Sequence, residues 1–407
     1  MLWRKNIFER GNKLQIVSNL LSFTSFIKSF GGILLAIVIL LAMITVHEFG
    51  HYLAGRILRF KINEFSIGFG PALFKKRSKK TGRTFALRIV PLGGYCAFDG
   101  EDEFEEEEKK SDEEPFPEWI EKTEEVVDEE KYPEPEGERF NDQAPWKRIV
   151  VLVAGATMNY LLALICIVVL FCCLGRPMYS VIKEKPSETA TVAATETGLQ
   201  TGDIILKING KNVYTITDYM DVLEGKKAGD TVSFTVQTEE GKVVREVRLA
   251  KDANFANMSD TLTLLYSMDI YGLYSTQQKQ GFFDSIGHSF AYSWRLGGMI
   301  LRSLGELLTG KLGIDTMGGP VTTIKVTSQV AASGLASFLN IAALIGVNLA
   351  VFNLLPIPAL DGCKVIFCII EWIRKKPVNR KVEAWIHFVG IIFLFGFAIL
   401  VDLLQLF

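Results

Sequence analysis

Residues 31–51 of the chain read GGILLAIVILLAMITVHEFGH, an apolar run of membrane-spanning length that ends in an H-E-x-x-H motif. His47 and His51 are four residues apart, so a helix presents both imidazoles on one face, where they can hold a zinc ion. Glu48 lies beside them and can take a proton from an attacking water. The motif predicts a hydrolytic metal site. The alternative is a surface helix whose polar residues only meet lipid headgroups, but ionisable groups at the end of an apolar helix favour a functional site.

The composition is that of a membrane protein. The 407 residues are 49% hydrophobic, and the apolar residues gather in runs of bilayer-crossing length. Residues 1–30 lack the short apolar core and small-residue cleavage site of a removable signal peptide, so they are interpreted as an N-terminal extension. The apolar runs predict four transmembrane helices, at residues 31–51, 149–174, 337–355 and 386–406.

Basic residues predict the orientation, because cytoplasmic loops are enriched in lysine and arginine. Ten basic residues lie between residues 56 and 88, and others at 374–376 and 380–381 precede the last helix. Both loops are therefore expected in the cytoplasm, and the segment between the second and third helices outside. Five basic residues before the first helix argue against this orientation. The six cysteines show neither zinc-ribbon spacing nor a disulfide pattern.

Residues 101–138 form an acidic stretch. They contain twenty acidic residues and four lysines, although the whole chain has a net charge of −2. Four prolines and few aliphatic residues predict a disordered or loosely folded insertion. We interpret it as a solvated spacer, with a regulatory or partner-binding segment as the alternative.

Two stretches after the first helix have strand character. They surround Phe65 and Ile89, and glycine and proline bound them, which predicts a β-hairpin folded toward the H-E-x-x-H helix. A protease must hold its substrate extended, and a sheet edge does this by strand addition. An ordinary cytoplasmic hairpin is the alternative, and the residues alone do not decide between the two.

Residues 180–252 predict a small soluble module. Residues 198–210, GLQTGDIILKING, give a turn, a strand and an Asn-Gly turn, and a short helix at 213–224 and strands at 231–237 and 242–249 are expected to follow. The pattern resembles a PDZ domain, whose groove binds an extended peptide; a structural β-rich module is the alternative. Four residues carry the PDZ signature: Gly198, Leu199, Gly202 and Asp203.

Residues 282–312 mix apolar and charged side chains, which predicts an amphipathic helix on the outer membrane face. His288 in this helix and His387 near the last helix are interpreted as packing or interfacial residues and not as ligands. Asn159, in the second helix among small residues, is expected to serve helix packing.

The third helix ends in NLLPIPALDG, residues 353–362. The two prolines should break the helix at membrane depth, which is tolerated only where the backbone faces protein or a water-filled cavity. Asp361 follows this break as a carboxylate able to complete the zinc site. A cap on the next helix is the alternative role of Asp361.

Together these motifs resemble the site-2 protease family of intramembrane zinc metalloproteases, in particular the bacterial, PDZ-containing group of sigma-factor-regulating proteases. The resemblance implies one zinc per chain, held by His47, His51 and Asp361, with Glu48 as general base. It further implies that Asn353 holds the substrate backbone and that a membrane-associated β-region guides the substrate, here at Gly68, Phe69, Gly70 and Ile89. Cys363 and Ala156 depart from the family's usual glycine and proline.

The predicted fold is therefore a polytopic α-helical membrane protein with a cytoplasmic β-hairpin and an inserted extracytoplasmic PDZ domain. The expected divisions are 1–30, 31–175 with the acidic insertion, 180–252, a connector at 253–336, and 337–407. Single-span membrane proteins are the expected substrates, of the anti-sigma-factor or remnant-signal-peptide class. The expected location is the bacterial cytoplasmic membrane with its lipids, without a nucleic-acid partner. The alternatives are a membrane-anchored zinc peptidase for soluble or peripheral substrates and a non-catalytic PDZ scaffold.

Overall fold

Helices dominate the structure, a computed structural model that describes residues 2–101, 132–182, 199, 202–215, 218, 221–222, 230–248, 272–313 and 317–405. The helices are α1 (Leu2–Ile57), α2 (Pro145–Val169), α3 (Phe282–Leu308), α4 (Pro320–Ala331), α5 (Leu335–Asn353), α6 (Asp361–Arg374) and α7 (Arg380–Leu404). The strands are β1 (Ile62–Arg77), β2 (Thr84–Phe98), β3 (Arg176–Ile182), β4 (Ile204–Ile208), β5 (Lys211–Asn212), β6 (Thr231–Thr238), β7 (Gly241–Arg248) and β8 (Gly272–Gln278). Most of the acidic stretch lies outside the described residues.

Four of the described helical segments are long and apolar enough to cross a membrane. They are Ser29–Ile57, Pro145–Leu174, Leu335–Asn353 and Arg380–Leu404, and each overlaps one of the four predicted crossings. The first of them belongs to a longer helix, because α1 begins at Leu2. The predicted N-terminal extension is therefore helical and continuous with the first span, and no proline interrupts it.

The chain divides into two compact units, one from Met1–Ala163 with Ser303–Phe407 and the other from Leu164–Arg302. In the first unit, the helices pack through small residues. A Cβ atom at Gly50 of α1 would lie 2.4 Å from the Ala154 carbonyl oxygen of α2, and one at Gly346 of α5 would lie 2.9 Å from the Ala163 Cβ. Such close backbone approach is typical of helix contacts in lipid.

The predicted hairpin is present as β1 and β2, but it is more elaborate than two strands. Residues 64–67 pair with 94–97 on one side and with 84–87 on the other, and 84–87 pair in turn with 74–77. The two long strands therefore build a small sheet of four segments. One end of this sheet enters a buried cluster shared with α2 and α6, formed by Phe60, Ile62, Cys96, Phe98, Phe140, Val151, Leu152 and Cys368.

The predicted proline break separates α5 from α6. Residues 354–360 form turns, Ala359 has a positive φ of 77°, and its N–H donates to His387 Nδ1 at 3.0 Å. Gly362 lies so close to this turn that a Cβ would approach the Leu355 carbonyl oxygen to 2.2 Å. The break thus ends one helix at Asn353 and begins the next at Asp361.

Helix α4 was not predicted and lies within the expected connector at 253–336. It packs against α1, where a Cβ at Gly32 would lie 2.6 Å from the Ser328 carbonyl oxygen. The Asp402 carboxylate of α7 caps it by accepting from the Val321 and Thr322 N–H groups at 3.0 and 3.2 Å. This cap joins two elements distant in the chain, so no local pattern indicates it.

The second unit contains a sheet with the order β7-β6-β4-β3-β8, and β5 pairs with β4. The Asn-Gly turn joins β4 to β5, with positive φ at Asn209 (46°) and Gly210 (76°), and β6 and β7 match the two predicted strands. The helix predicted at 213–224 is wrong at its start, because residues 213–215 are not helical while 218, 221 and 222 are. Asp218 accepts from the Tyr214 and Thr215 N–H groups, and its bond to Thr215, three residues earlier, is that of the acidic residue in a capping box.

Helix α3 agrees with the predicted amphipathic helix at 282–312, but its buried face contains three serines beside Tyr292 and Leu296. Ser285, Ser289 and Ser293 are buried, whereas Phe283 and Trp294 are strongly exposed. Small serines allow close packing on the inner face, and the exposed aromatic side chains suit a membrane interface.

Candidate metal centre

Helix α1 carries His47 and His51 one turn apart, and both side chains are buried. Their Nε2 atoms lie 3.1 Å from each other. The Asp361 Oδ2 atom lies 3.1 Å from His47 Nε2 and 3.4 Å from His51 Nε2. The first transmembrane helix and the residue after the proline break therefore meet at one point.

Hydrogen bonds at the opposite ring nitrogens direct the Nε2 lone pairs of both histidines toward this point. His51 Nδ1 lies 2.9 Å from the Val151 carbonyl oxygen, which can only accept, so Nδ1 carries the proton. His47 Nδ1 lies 3.4 Å from Asn159 Nδ2, and the buried Asn159 Oδ1 has no hydrogen-bond partner among the described residues. An asparagine amide fills the same volume in either orientation, so turning it lets Nδ1–H donate to Oδ1 and satisfies both groups.

The converging atoms fit a metal ion. Two imidazole lone pairs and a carboxylate oxygen at these separations repel one another unless a proton or a metal ion lies between them. Ligand atoms of a tetrahedral zinc ion are about 3.3–3.6 Å apart, given bonds of roughly 2.0–2.2 Å. Asp361 Oδ2 forms no hydrogen bond of normal geometry with the described residues, as expected for a ligand atom. His47, His51 and Asp361 can thus hold a metal ion.

Asp361 is the first residue of α6, and Leu360 occupies the N-cap position without a side-chain hydrogen bond. The carboxylate of Asp361 faces the histidines instead of capping its own helix. The alternative role as a helix cap is therefore not the one observed.

Helix α2 meets the two imidazole rings at Gly155. A Cβ atom there would lie 2.4 Å from His51 Nε2 and 2.8 Å from His47 Cε1. A side chain at this position would collide with the rings, so the glycine provides the space that the metal site occupies.

Glu48 is only partly buried and faces β2. A Cβ atom at Gly94 would lie 3.3 Å from Glu48 Cγ and 2.9 Å from the Ser66 carbonyl oxygen. The bare backbone of Gly94 therefore brings an outer segment of the sheet next to the predicted general base. Asn353 is also close, with its Nδ2 3.4 Å from His47 Nδ1.

The four residues predicted to guide substrate lie on the same sheet. Gly68 and Gly70 have φ values of +88° and +81°, and a Cβ at Gly68 would approach the Val90 carbonyl oxygen to 2.7 Å. Phe69 between them is half exposed, and so is Ile89 on β2. The glycines thus turn β1 sharply and leave two apolar side chains at the surface.

Arg88 connects the segments of this sheet. Its guanidinium donates to Glu64 Oε1 at 2.7 Å, to the Gly70 carbonyl oxygen at 2.8 Å and to the Tyr95 hydroxyl at 2.9 Å. Tyr95 donates to Glu64 at 2.7 Å and stacks on Phe69 with ring centroids 6.4 Å apart. Burial and the hydrogen bond to Glu64 raise the pKa of Tyr95, so the phenol stays protonated as a donor.

The residues of the predicted PDZ signature lie in the second unit. Leu199 and Asp203 are buried, and Asp203 pairs with Arg245 Nε at 2.9 Å. Gly202 has a positive φ of 95°, which suits the predicted turn. Gly198 lies outside the described residues.

The arrangement of these motifs matches a known family over most of the chain. Residues 35–397 match Peptidase family M50, a range that includes both histidines, Glu48 and Asp361. The chain belongs to peptidase family M50. This is the site-2 protease family that the sequence motifs resemble.

Curated relatives of this M50 chain are also zinc metalloproteases by name. The zinc metalloprotease RasP of Bacillus licheniformis is 28% identical, and the alignment covers 86% of this chain and 93% of the relative. The regulator of sigma-W protease RasP of Bacillus subtilis is 27% identical, covering 88% and 94%. A putative zinc metalloprotease of Clostridium perfringens is 31% identical, covering 91% and 97%. The M50 chain is therefore a zinc metalloprotease with the multi-pass architecture found above.

Sequence reasoning missed several residues around the M50 site. Asn159 is predicted to serve helix packing, but its partner is His47. Gly155, four residues earlier, makes room for the rings. Gly94 beside Glu48 and the Val151 carbonyl beside His51 gave no signal at all. Helical spacing was the available signal, because positions 151, 155 and 159 lie on one face of α2.

Proposed function

We propose that this M50 member hydrolyses peptide bonds within or near the transmembrane segments of single-span membrane proteins. One observation carries the proposal: two of the three candidate ligands, His47 and His51, are buried inside a span. His47 lies ten residues before Ile57, the last residue of that span, or about 15 Å along the helix axis. A metal site at this depth suits a substrate that is itself in the membrane.

In this proposal His47, His51 and Asp361 hold one zinc ion per chain. When bound, zinc supplies a Lewis acid that polarises the scissile carbonyl and makes water more nucleophilic. Glu48 takes the proton of the attacking water on a carboxylate oxygen and passes it to the leaving amine. Asn353, whose amide lies beside His47, donates a hydrogen bond to the substrate backbone.

The sheet would bind the substrate in extended form. Residues 94–97 pair with 64–67 on one side only, among the described residues, and Gly94 lies against Glu48. A substrate strand added at this edge would run past the general base. Gly68, Phe69, Gly70 and Ile89 would guide it, and the half-exposed Phe69 would contact its apolar side chains.

The second unit would contain the PDZ domain, over residues 180–252, with Gly198, Leu199, Gly202 and Asp203 in its signature. Its groove would bind a new peptide C-terminus or exclude bulky substrates. Because cytoplasmic loops are enriched in lysine and arginine, the active site would face the cytoplasm and this domain would lie outside the bacterial cytoplasmic membrane. The name of the Bacillus subtilis relative, a regulator of sigma-W protease, favours membrane-bound anti-sigma factors as substrates, with remnant signal peptides as the second class.

The test compares parent, Glu48→Gln and Asp361→Asn proteins purified in detergent. The parent should contain about one zinc and cut a model single-span substrate inside its span. Glu48→Gln should keep zinc and lose cleavage, whereas Asp361→Asn should lose both. Unchanged cleavage by Glu48→Gln would overturn the assigned base.

Two further results would favour the alternatives. Preferred cleavage of a soluble peptide over the single-span substrate would favour a membrane-anchored peptidase. Zinc binding without cleavage of any substrate, in the parent as in Glu48→Gln, would favour a non-catalytic scaffold.

A further inference from the structure

Arg148, near the start of α2, is the largest fully buried side chain in the described part of the chain, with 1% of its side chain exposed. Its Nη2 atom lies 2.5 Å from Glu371 Oε1 of α6. Its Nε and Nη1 atoms have no hydrogen-bond partner among the described residues. A buried ion pair that is incompletely satisfied contributes little net stability, so stability alone does not account for this arginine.

Arg148 shares one face of α2 with the contacts that orient the metal site. The positions 148, 151, 155 and 159 are three or four residues apart, the spacing of neighbours on a helical surface. Val151 accepts from His51, Gly155 makes room for both rings, and Asn159 contacts His47. These three contacts involve the ligands on α1, whereas Arg148 contacts the helix that carries Asp361.

Helix α6 also meets α2 through a buried apolar cluster. Cys368 belongs to the same buried cluster as Val151 and Leu152. Apolar contacts are non-directional and allow one helix to slide or turn on another. A charge-assisted hydrogen bond has a direction and a length, so it selects one register.

One helix, α6, connects the Arg148–Glu371 ion pair to the ligand Asp361. Glu371 lies ten residues after Asp361 in the same helix, or about 15 Å along its axis. Lys364 of α6 pairs with Glu101 at 2.8 Å, which restrains the helix close to Asp361 as well. A displacement of about 1 Å at a reacting centre is enough to impair catalysis, so the register of α6 matters for the site.

We propose that Arg148 is a positioning residue for the metal centre, whose ion pair with Glu371 fixes α6 on α2 so that Asp361 meets the two histidines. This inference rests on the proposed metal ligands. Arg148 itself touches neither the metal nor the substrate.

The test uses Arg148→Met, Glu371→Leu and the double variant of the full-length protein. Glu371→Leu leaves the buried Arg148 guanidinium without its partner, whereas Arg148→Met leaves Glu371 with only Arg380, whose Nη2 lies 3.4 Å from Glu371 Oε2. Both single changes should lower thermal stability and zinc affinity. The double variant removes both charges and should regain stability. Its zinc affinity, measured by competition with a chelator, should stay weaker by about tenfold or more, and the visible absorption of its cobalt-substituted form should differ from that of the parent.

The control is a double variant in the other unit, Asp203→Leu with Arg245→Met, which removes the ion pair between the buried Asp203 and the partly buried Arg245. It should change stability without changing zinc affinity or the cobalt spectrum. Arg148→Lys keeps the charge but cannot form the planar guanidinium contact. If the double variant does not fold, Arg148→Lys decides the question, with zinc binding expected to be about threefold weaker or more.

If the folded double variant has the zinc affinity and cobalt absorption of the parent, the positioning role of Arg148 is overturned and the proposed ligands stand. The same result in Arg148→Lys has this meaning if the double variant does not fold. Zinc binding that survives His47→Ala unchanged would instead overturn the proposed ligand set, and this inference with it. The two failures are therefore distinguishable.

Discussion

The backbone of Gly155 lies against the imidazole of His51, where a Cβ atom would come within 2.4 Å of Nε2. Gly155→Ala should therefore displace the ring and weaken zinc binding by about tenfold or more, as changes next to metal ligands commonly do. Zinc titration of the purified protein measures this. Gly396→Ala is the control, because Gly396 also lies in a transmembrane helix but has nothing within 4 Å of its Cβ position. Equal zinc affinity in Gly155→Ala and Gly396→Ala would contradict the predicted collision between a side chain at position 155 and the His51 ring.

Asn159 should act on His47 as a hydrogen-bond acceptor. Asn159→Leu removes the acceptor and should lower zinc affinity by about 10–100-fold, the usual effect of losing a group that orients a metal-bound histidine. Asn159→Asp keeps an oxygen at the same place and should bind zinc much more tightly than Asn159→Leu. Equal losses in the two variants would mean that the amide nitrogen, and not the oxygen, faces His47.

Removing zinc should destabilise the first unit. A ligand present at a hundredfold excess over its dissociation constant stabilises the folded state by about 2.7 kcal/mol, so a chelator should lower the unfolding temperature measurably. Glu48→Gln should show the same chelator effect, because Glu48 is not a proposed ligand. Asp361→Asn should show little of it, and a full chelator effect in Asp361→Asn would speak against that ligand.

The second unit should become less stable in acid through His288. Burial and the positive charge of Arg176 lower the pKa of His288, and its Nδ1 lies 2.7 Å from the Tyr214 hydroxyl, for which a neutral ring is an acceptor. The folded-state pKa is below the unfolded value of about 6.5, so this stability is present above that pH and is lost as the pH falls through the folded pKa. Thermal unfolding at several pH values would show it.

His288→Phe removes the titrating group and is the matched variant for this prediction. Its stability should depend less on pH below about 6.5 than that of the parent. An identical pH dependence in the two proteins would assign the acid sensitivity to other groups.

Much of the architecture follows from local patterns. Long apolar runs predict the four spans, because a bilayer core sets the length of a crossing helix. The two histidines at helical spacing and the prolines before Asp361 predict the metal ligands for a similar reason, since helix periodicity and the missing proline N–H are properties of neighbouring residues. The Asn-Gly turn and the strands around it were predictable in the same way.

Other features were not predictable from local patterns. The sheet of four segments arises because residues 64–67 find partners on both sides, which depends on sharp turns at two glycines within β1. The start of the helix expected at 213–224 was wrong because Asp218 accepts from the Tyr214 and Thr215 N–H groups and holds these residues outside the helix. The whole of α4 was missed, since its cap comes from Asp402, far away in the chain.

Hydropathy and motif spacing alone predict that the chain crosses the membrane and carries the H-E-x-x-H motif and a carboxylate after a proline break. The contacts around those residues are visible only in the folded chain: Asn159 with His47, the Val151 carbonyl with His51, Gly155 against both rings and Arg148 with Glu371. The two kinds of feature differ in the range of the interactions behind them. Hydropathy and helical spacing act among near neighbours, whereas a hydrogen bond or a close backbone approach joins residues that only the packing of helices brings together.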